Sequence, residues 1–165
     1  MVLLGAALAA ADSFPPRLRF GAFLGEIAGD ENTYFERSLA ELGVAEVARA
    51  KMPDNPATAA LDALLREAAA SGDYAAMLAV LCVAEGIYLE WASSIRPPLP
   101  TSFVHAEWIR LHDNPDFVSV VEFLRSELDR VGPAAEETAR DFFSRAVALE
   151  LAFFDDAYAH PYPGA

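Results

Sequence analysis

The chain has 165 residues, of which 54% are hydrophobic, and this is enough to build one domain around a sizeable core. Its formal net charge of −13 argues against a nucleic-acid-binding protein, which needs basic residues to neutralise the phosphates, and against docking on an anionic membrane. A single cysteine excludes an internal disulfide and is typical of a cytoplasmic protein. We therefore expect one cytoplasmic domain over residues 1–165.

All the predicted elements are helices. No stretch alternates apolar and polar residues between hairpin turns, so no strand is predicted. The apolar run after Met1 lacks a basic segment and is too short to span a bilayer, so it predicts a core-facing helix rather than an export signal. Capping residues, glycines and prolines then place helices at 2–12, 17–42, 56–71, 74–93, 103–112, 115–131 and 132–158. This pattern of six or seven helices predicts an all-α single-domain helical bundle.

Three segments interrupt the helical pattern. The sequence of residues 29–32, Gly-Asp-Glu-Asn, predicts fraying or a kink in the middle of the second helix. Residues 96–100 hold three prolines and predict a rigid extended connector. The tail at 160–163, His-Pro-Tyr-Pro, is predicted to lie outside any helix.

Two carboxylates stand inside apolar helical runs, Glu85 within 79–91 and Glu150 within 146–154. A buried charge is costly unless it is paired or neutralised, so such residues are usually partnered and often functional. Residues three or four apart share a helical face. Glu85 is therefore predicted to lie on one stripe with Cys82, Tyr88 and Trp91. Either the two acids face one cavity and raise each other's pKa, or each satisfies an arginine such as Arg110 or Arg145.

The remaining reactive residues have a structural interpretation. His105 and His112 share a helical face but are two turns apart, about 10 Å, which is too far to bind one ion together. The chain has no Glu-x-x-His pair for a di-iron site, and we expect neither a metal nor a cofactor, with a single axial haem ligand as the open alternative. Cys82 has apolar neighbours that raise its pKa, so it is interpreted as an inert core thiol.

Three segments, in this order and spacing, resemble one enzyme family. They are residues 71–74 leading into the helix with Tyr88, residues 107–109, and residues 149–158. The first is similar to a helix with a Cys-x-x-x-Tyr pair, and the last is similar to a Glu-x-x-Phe-Trp-x-x-Ala-Tyr helix. From Leu3 to Tyr158 the chain thus resembles the TenA family, also called thiaminase II, of the haem-oxygenase-like all-α fold.

The resemblance implies an activity and a set of site residues. The activity is hydrolysis of an aminomethyl- or formylaminomethyl-pyrimidine, a thiamin breakdown product, to hydroxymethylpyrimidine for thiamin salvage. Glu150 would hydrogen-bond and protonate a ring nitrogen, Tyr88 would tune the nucleophile, and Phe153 would pack on the pyrimidine. Trp108 and His112 are further substrate-binding candidates, with His112 standing where the family has a tyrosine.

Two departures from the family pattern bear on the chemistry. The family's catalytic cysteine falls on Ala84, and Cys82 is about 200° away around the helix, so it is no simple substitute. The chain therefore resembles the subgroup without this cysteine, for which Glu85 is the candidate acid. The family's first two helices, which carry a substrate-binding aspartate, are expected to be missing, and neither Asp12 nor Asp30 matches that motif.

Three functions remain open at this point. The first is general acid–base hydrolysis, in which Glu150 anchors the pyrimidine while Glu85 activates water or assists the leaving amine. The second is a non-catalytic pyrimidine-binding protein, and the third is a partner-binding bundle with Glu85 and Glu150 each bound to arginine. Apolar faces left uncovered by missing helices also lead us to expect a homo-oligomer, either a dimer or a tetramer.

Overall fold

The structure is a computed structural model that describes residues 1–49, 51 and 53–159. The chain is all-α, and this part of it contains no strand. A π-helical segment, Ile27–Glu31, joins the second and third helices, and a 3₁₀ turn, Gly132–Ala135, precedes the last. The α-helices are α1 (Val2–Ala10), α2 (Phe14–Glu26), α3 (Asn32–Glu41), α4 (Glu46–Arg49), α5 (Pro56–Ser71), α6 (Tyr74–Ser94), α7 (Phe103–His112), α8 (Pro115–Val131) and α9 (Glu136–Ala159).

Side-chain caps and a glycine fix several helix ends where the sequence predicts them. The Asn55 side chain accepts a hydrogen bond from the backbone N–H of Thr58 at 2.7 Å, and this begins α5. Asp73 caps α6 and Asn114 caps α8 in the same way. Gly72 ends α5 with a left-handed φ of 70°, a conformation that costs glycine little. Local hydrogen bonds therefore explain the agreement in these helices.

Some predicted boundaries need correction. Helix α2 begins at Phe14 rather than residue 17, because its two prolines occupy the first turn, where no N–H partner is needed. The predicted last helix starts as the 3₁₀ turn and becomes α-helical at Glu136. The short helix α4 was not predicted. The predicted break at residues 29–32 is a π-helical insertion, and the tail at 160–163 lies outside the described residues.

Helix α6 is the centre of the bundle. It packs most extensively against α8 and α9, and its middle, residues 75–83, is buried throughout. Within the described residues α6 is the one helix long and apolar enough to cross a bilayer, and 61% of that stretch is buried inside the bundle. Its hydrophobicity is accounted for by this central position, because a helix that is apolar on every face is typical of a core.

Helix α1 closes one side of the bundle. Leu3, Leu4 and Ala7 are buried, which confirms the prediction of a core-facing helix. Helix α9 leaves Phe143, Val147 and Leu151 exposed at four-residue spacing. The expected homo-oligomer stays a prediction.

Candidate functional site

A cleft of about 760 Å³ opens between the start of α1, the junction of α2 and α3, and helices α5 to α9. A volume of this size accommodates a small organic molecule. Five of the six residues singled out from the sequence line it, namely Glu85, Tyr88, Trp108, His112 and Glu150. The two carboxylates that are distant in the chain therefore reach the same cleft.

Helix α6 presents one face to this cleft. Leu81, Ala84, Glu85 and Tyr88 line it, at the i, i+3, i+4, i+7 spacing of a single helical stripe. Of the stripe predicted from the sequence, Glu85 and Tyr88 line the cleft, whereas Cys82 and Trp91 are not among the lining residues. Cys82 is 7% exposed in the hydrophobic core, and burial raises the pKa of its thiol to about 12, as expected for an inert cysteine.

Glu150 reaches the cleft from α9. Its side chain is 3% exposed, and its Oε2 atom has no hydrogen-bond partner among the described residues. Burial raises the pKa of the carboxyl above its usual value, because removal from water disfavours the charged form. The alternative in which Arg145 satisfies Glu150 is wrong, because Arg145 bonds Glu67 and Asp141 on the outer surface.

Glu85 is half-buried and makes no hydrogen bond or ion pair within the part of the chain that the structure describes. Burial raises the pKa of its carboxyl to about 8, and the negative charges of Glu31 and Glu150 add to the rise. The N-terminal ammonium of Met1 acts in the opposite direction. A carboxyl with this pKa exchanges its proton near neutral pH, which is what general acid–base chemistry needs.

Glu31 is a third cleft carboxylate that sequence reasoning missed. It belongs to the π-helical segment, it is half-buried, and burial raises its pKa. The extra residue of a π-bulge changes which side chains a helix directs to one face, and such bulges are frequent at functional sites. The predicted kink at 29–32 marked the segment, but it did not indicate which side chain enters the cleft.

An aromatic group forms another wall. The Tyr88 ring meets the Trp108 ring at a centroid distance of 5.7 Å, and His112 stacks on Trp108 at 4.2 Å. The Nδ1 atom of His112 lies 2.8 Å from the Trp108 carbonyl oxygen, and because a carbonyl only accepts, Nδ1 donates. Burial lowers the pKa of this histidine, so the neutral ring is favoured with Nε2 left as an acceptor.

The sixth predicted site residue, Phe153, and the other histidine considered from the sequence, His105, do not line the cleft. Phe153 is not among the lining residues, and its ring packs edge-on against Phe154 at 5.5 Å. Phe154 in turn contacts the rings of Tyr88 and Trp91. His105 is exposed on α7 and does not line the cleft either. Trp108 lines the cleft, with His112 stacked on its ring at 4.2 Å and Trp91 against it at 4.3 Å, whereas Phe153 contacts this aromatic group through Phe154.

Comparison with known proteins identifies this arrangement at the level of a family. A family model described as the TENA/THI-4/PQQC family matches residues 3–160. The match covers nearly the whole chain and includes every helix from α1 to α9 that contributes to the cleft. No curated protein matches the chain.

Proposed function

We propose that this chain, which belongs to the TENA/THI-4/PQQC family with its all-α haem-oxygenase-like fold, is an aminopyrimidine hydrolase of cytoplasmic thiamin salvage. The substrate would be an aminomethyl- or formylaminomethyl-pyrimidine, and the product hydroxymethylpyrimidine. One observation carries this proposal: Glu85, Tyr88 and Glu150 line a single cleft, and the buried Glu150 has a carboxylate oxygen without a protein partner. A ligand that brings an N–H group or an acceptor nitrogen would satisfy that oxygen.

In this proposal Glu150 anchors and activates the ring. In its protonated form Glu150 would donate a hydrogen bond or a proton to a ring nitrogen, and burial shifts the carboxyl toward that form by raising its pKa. Positive charge on the ring draws electrons from the exocyclic methylene carbon and makes that carbon easier to attack. The deep position of Glu150 on α9 suits a group that holds the ring in a fixed orientation.

Glu85 would carry the proton transfers at the reacting carbon. Water attacks the methylene carbon, a C–O bond forms, and the C–N bond breaks with its electron pair leaving on nitrogen. The Glu85 carboxylate takes the proton of the water and returns it to the departing amine, so atoms and charge balance without a covalent intermediate. A pKa of about 8 leaves both forms of Glu85 populated near neutral pH.

The aromatic wall would orient the substrate. The rings of Tyr88, Trp108 and His112 contact one another and line the cleft, so a flat heteroaromatic ring would pack against this group. The Nε2 atom of His112 can accept a hydrogen bond from a substrate amino group, because Nδ1 is committed to the backbone.

A non-catalytic pyrimidine-binding protein is the second candidate. The observation that favours it is Ala84, which lines the cleft at the position where the resemblance places the family's nucleophilic cysteine. The partner-binding bundle loses its support, because neither Glu85 nor Glu150 pairs with an arginine among the described residues.

Product analysis by chromatography tests the proposal. The wild-type protein should convert aminomethylpyrimidine to hydroxymethylpyrimidine, and Glu150→Gln or Glu85→Gln should lower kcat/KM by at least about a hundredfold. Cys82→Ala is the matched control and should change kcat/KM by no more than about twofold, since the thiol lies in the core. Unchanged turnover in Glu150→Gln would reject the mechanism, and calorimetric binding without product would favour the binding protein.

A further inference from the structure

The cleft has far more negative than positive groups. Its lining includes seven carboxylates, which are Glu26, Asp30, Glu31, Asp62, Glu85, Asp116 and Glu150. The one arginine in the lining, Arg66, is already bonded to Asp62 at 2.6 Å. A low-dielectric concave surface of one charge sign concentrates ligands of the opposite sign. The cleft therefore favours a ligand that is itself a cation.

Glu31 differs from the other acids at the edge of the cleft. Glu26, Asp30 and Asp116 are exposed, so water screens their charges, whereas Glu31 is half-buried. Among the charged groups that act on Glu85, Glu31 has the largest effect. The charge of Glu31 therefore acts on Glu85. Neither carboxylate has an arginine partner within the described residues, and the positive group that acts on both is the N-terminal ammonium of Met1 at the edge of the cleft, which lowers their pKa values.

A second observation shows that this part of the cleft is built to receive a ligand. Glu150 is only 3% exposed, and its Oε2 atom lacks any hydrogen-bond partner in the described protein. A buried polar atom without a partner is costly and is rarely retained without a role. A bound molecule would satisfy Glu150 with one group and meet Glu31 and Glu85 with another.

We propose that Glu31 is a specificity-determining residue that, together with Glu85, holds the protonated exocyclic amine of the substrate. The inference rests on the proposed function, and it selects the free aminomethylpyrimidine over its formylated form. An ammonium group places a positive charge between two like-charged carboxylates and offers three N–H donors. A formamide is neutral and leaves that repulsion in place, so one carboxyl must keep a proton for the formamide to bind.

The same contact prepares Glu85 for its role as a base. An adjacent cation favours ionised carboxylates, so the ammonium substrate promotes release of the Glu85 proton before the reaction starts. The ammonium substrate and water then give the alcohol and an ammonium ion: the C–N bond breaks as the C–O bond forms, and the water proton passes through Glu85 to ammonia. No oxidant, reductant or further reactant is required.

Binding measured by calorimetry tests this inference on the full chain. The probes are aminomethylpyrimidine and formylaminomethylpyrimidine, and the proteins are wild type, Glu31→Gln and Glu36→Gln. Glu36 is exposed on the same continuous helix but does not line the cleft, so Glu36→Gln removes an equal charge without touching the proposed contact. We expect Glu31→Gln to weaken the amine about tenfold and to change the formamide by no more than about twofold.

Further variants and outcomes keep the test decisive. Glu31→Asp retains the charge and should retain most of the preference for the amine, which separates the charge from a structural effect on the π-helical segment. Equal weakening of both ligands by Glu31→Gln, or the same loss in Glu36→Gln, would overturn the proposal. If the wild type binds both ligands and releases no product, the hydrolase proposal fails while the affinity comparison still decides the role of Glu31. If the wild type binds neither, both proposals are rejected.

Discussion

The carboxylates of the cleft and those of the outer surface differ in what balances their charge. Representative surface pairs join Glu67 to Arg145, Glu107 to Arg37 and Glu127 to Arg130. In the cleft, Glu31, Glu85 and Glu150 have no arginine partner among the described residues. The chain has only 12 lysines and arginines against 25 acidic residues, so basic side chains are scarce. Among the paired arginines of the described residues, Arg66 alone lines the cleft, where it is bonded to Asp62.

This difference predicts opposite effects on stability. A surface carboxylate with an arginine contributes a little to folding, whereas an unpaired carboxylate in a cleft costs free energy. Residues kept for ligand binding are often destabilising in the empty protein, and removing them commonly stabilises the fold at the expense of activity. Mutations of the two groups should therefore shift the free energy of unfolding in opposite directions.

The largest change should come from Glu150→Leu. Leucine is close in size, removes a buried polar group without a partner and adds apolar contact, so the free energy of unfolding at neutral pH should rise by about 2 kcal/mol. Urea unfolding measures this gain, and a product assay should show that activity is lost. A decrease in stability would indicate that Glu150 has a structural partner and would contradict the comparison.

The next effect is the pH dependence that Glu85 introduces. The unfolded chain releases this proton near pH 4.5, while the folded protein retains it to about pH 8, so between these values the folded state binds more protons. The free energy of unfolding must then fall as pH rises through this window. Glu31, Glu150, Tyr88 and the N-terminal ammonium of Met1 are the titratable groups that act on Glu85 or are acted on by it.

Glu85→Gln measures this contribution directly. Relative to wild type, the variant should gain about 2 kcal/mol of stability between pH 5 and pH 8, less than the full linkage value because the half-buried side chain lies in an open cleft. Unfolding by urea at both pH values gives the difference. An identical pH profile for the two proteins would show that Glu85 titrates normally and would remove the reason for its proposed role.

The fold could be predicted from the sequence because its helix ends are local. Asn55 and Asp73 bond to backbone groups two or three residues away, and these contacts are the same in almost any tertiary context. The apolar composition of α6 likewise indicated that this helix is buried, because a helix that is apolar on every face is typical of a core. The short helix α4 has too few residues for any such signal.

The candidate site was only partly predictable, because it depends on how each helix is rotated. Glu85 and Glu150 stood out as charges in apolar runs, and both line the cleft. Phe153 and Phe154 are adjacent and chemically equal, so only the packing of α9 decides which of them meets Tyr88. Glu31 entered the sequence analysis only as part of the predicted break at 29–32, since the π-helical insertion that directs it to the cleft has no clear sequence signature.

The smallest effect is expected for Glu67→Gln on the outer surface. The hydrogen bond from Arg145 holds the pKa of Glu67 below its usual value, so the pair stabilises the folded state above the unfolded pKa and loses this contribution as pH falls. This pH dependence of stability has the opposite sign to that of Glu85.

Glu67→Gln should lower the free energy of unfolding only slightly at neutral pH, by much less than the changes expected in the cleft. High salt should erase this difference between variant and wild type. Thermal unfolding at low and high salt measures it, and a loss as large as the gain in Glu150→Leu would mean that surface pairs, and not the core around α6, dominate the stability of this bundle.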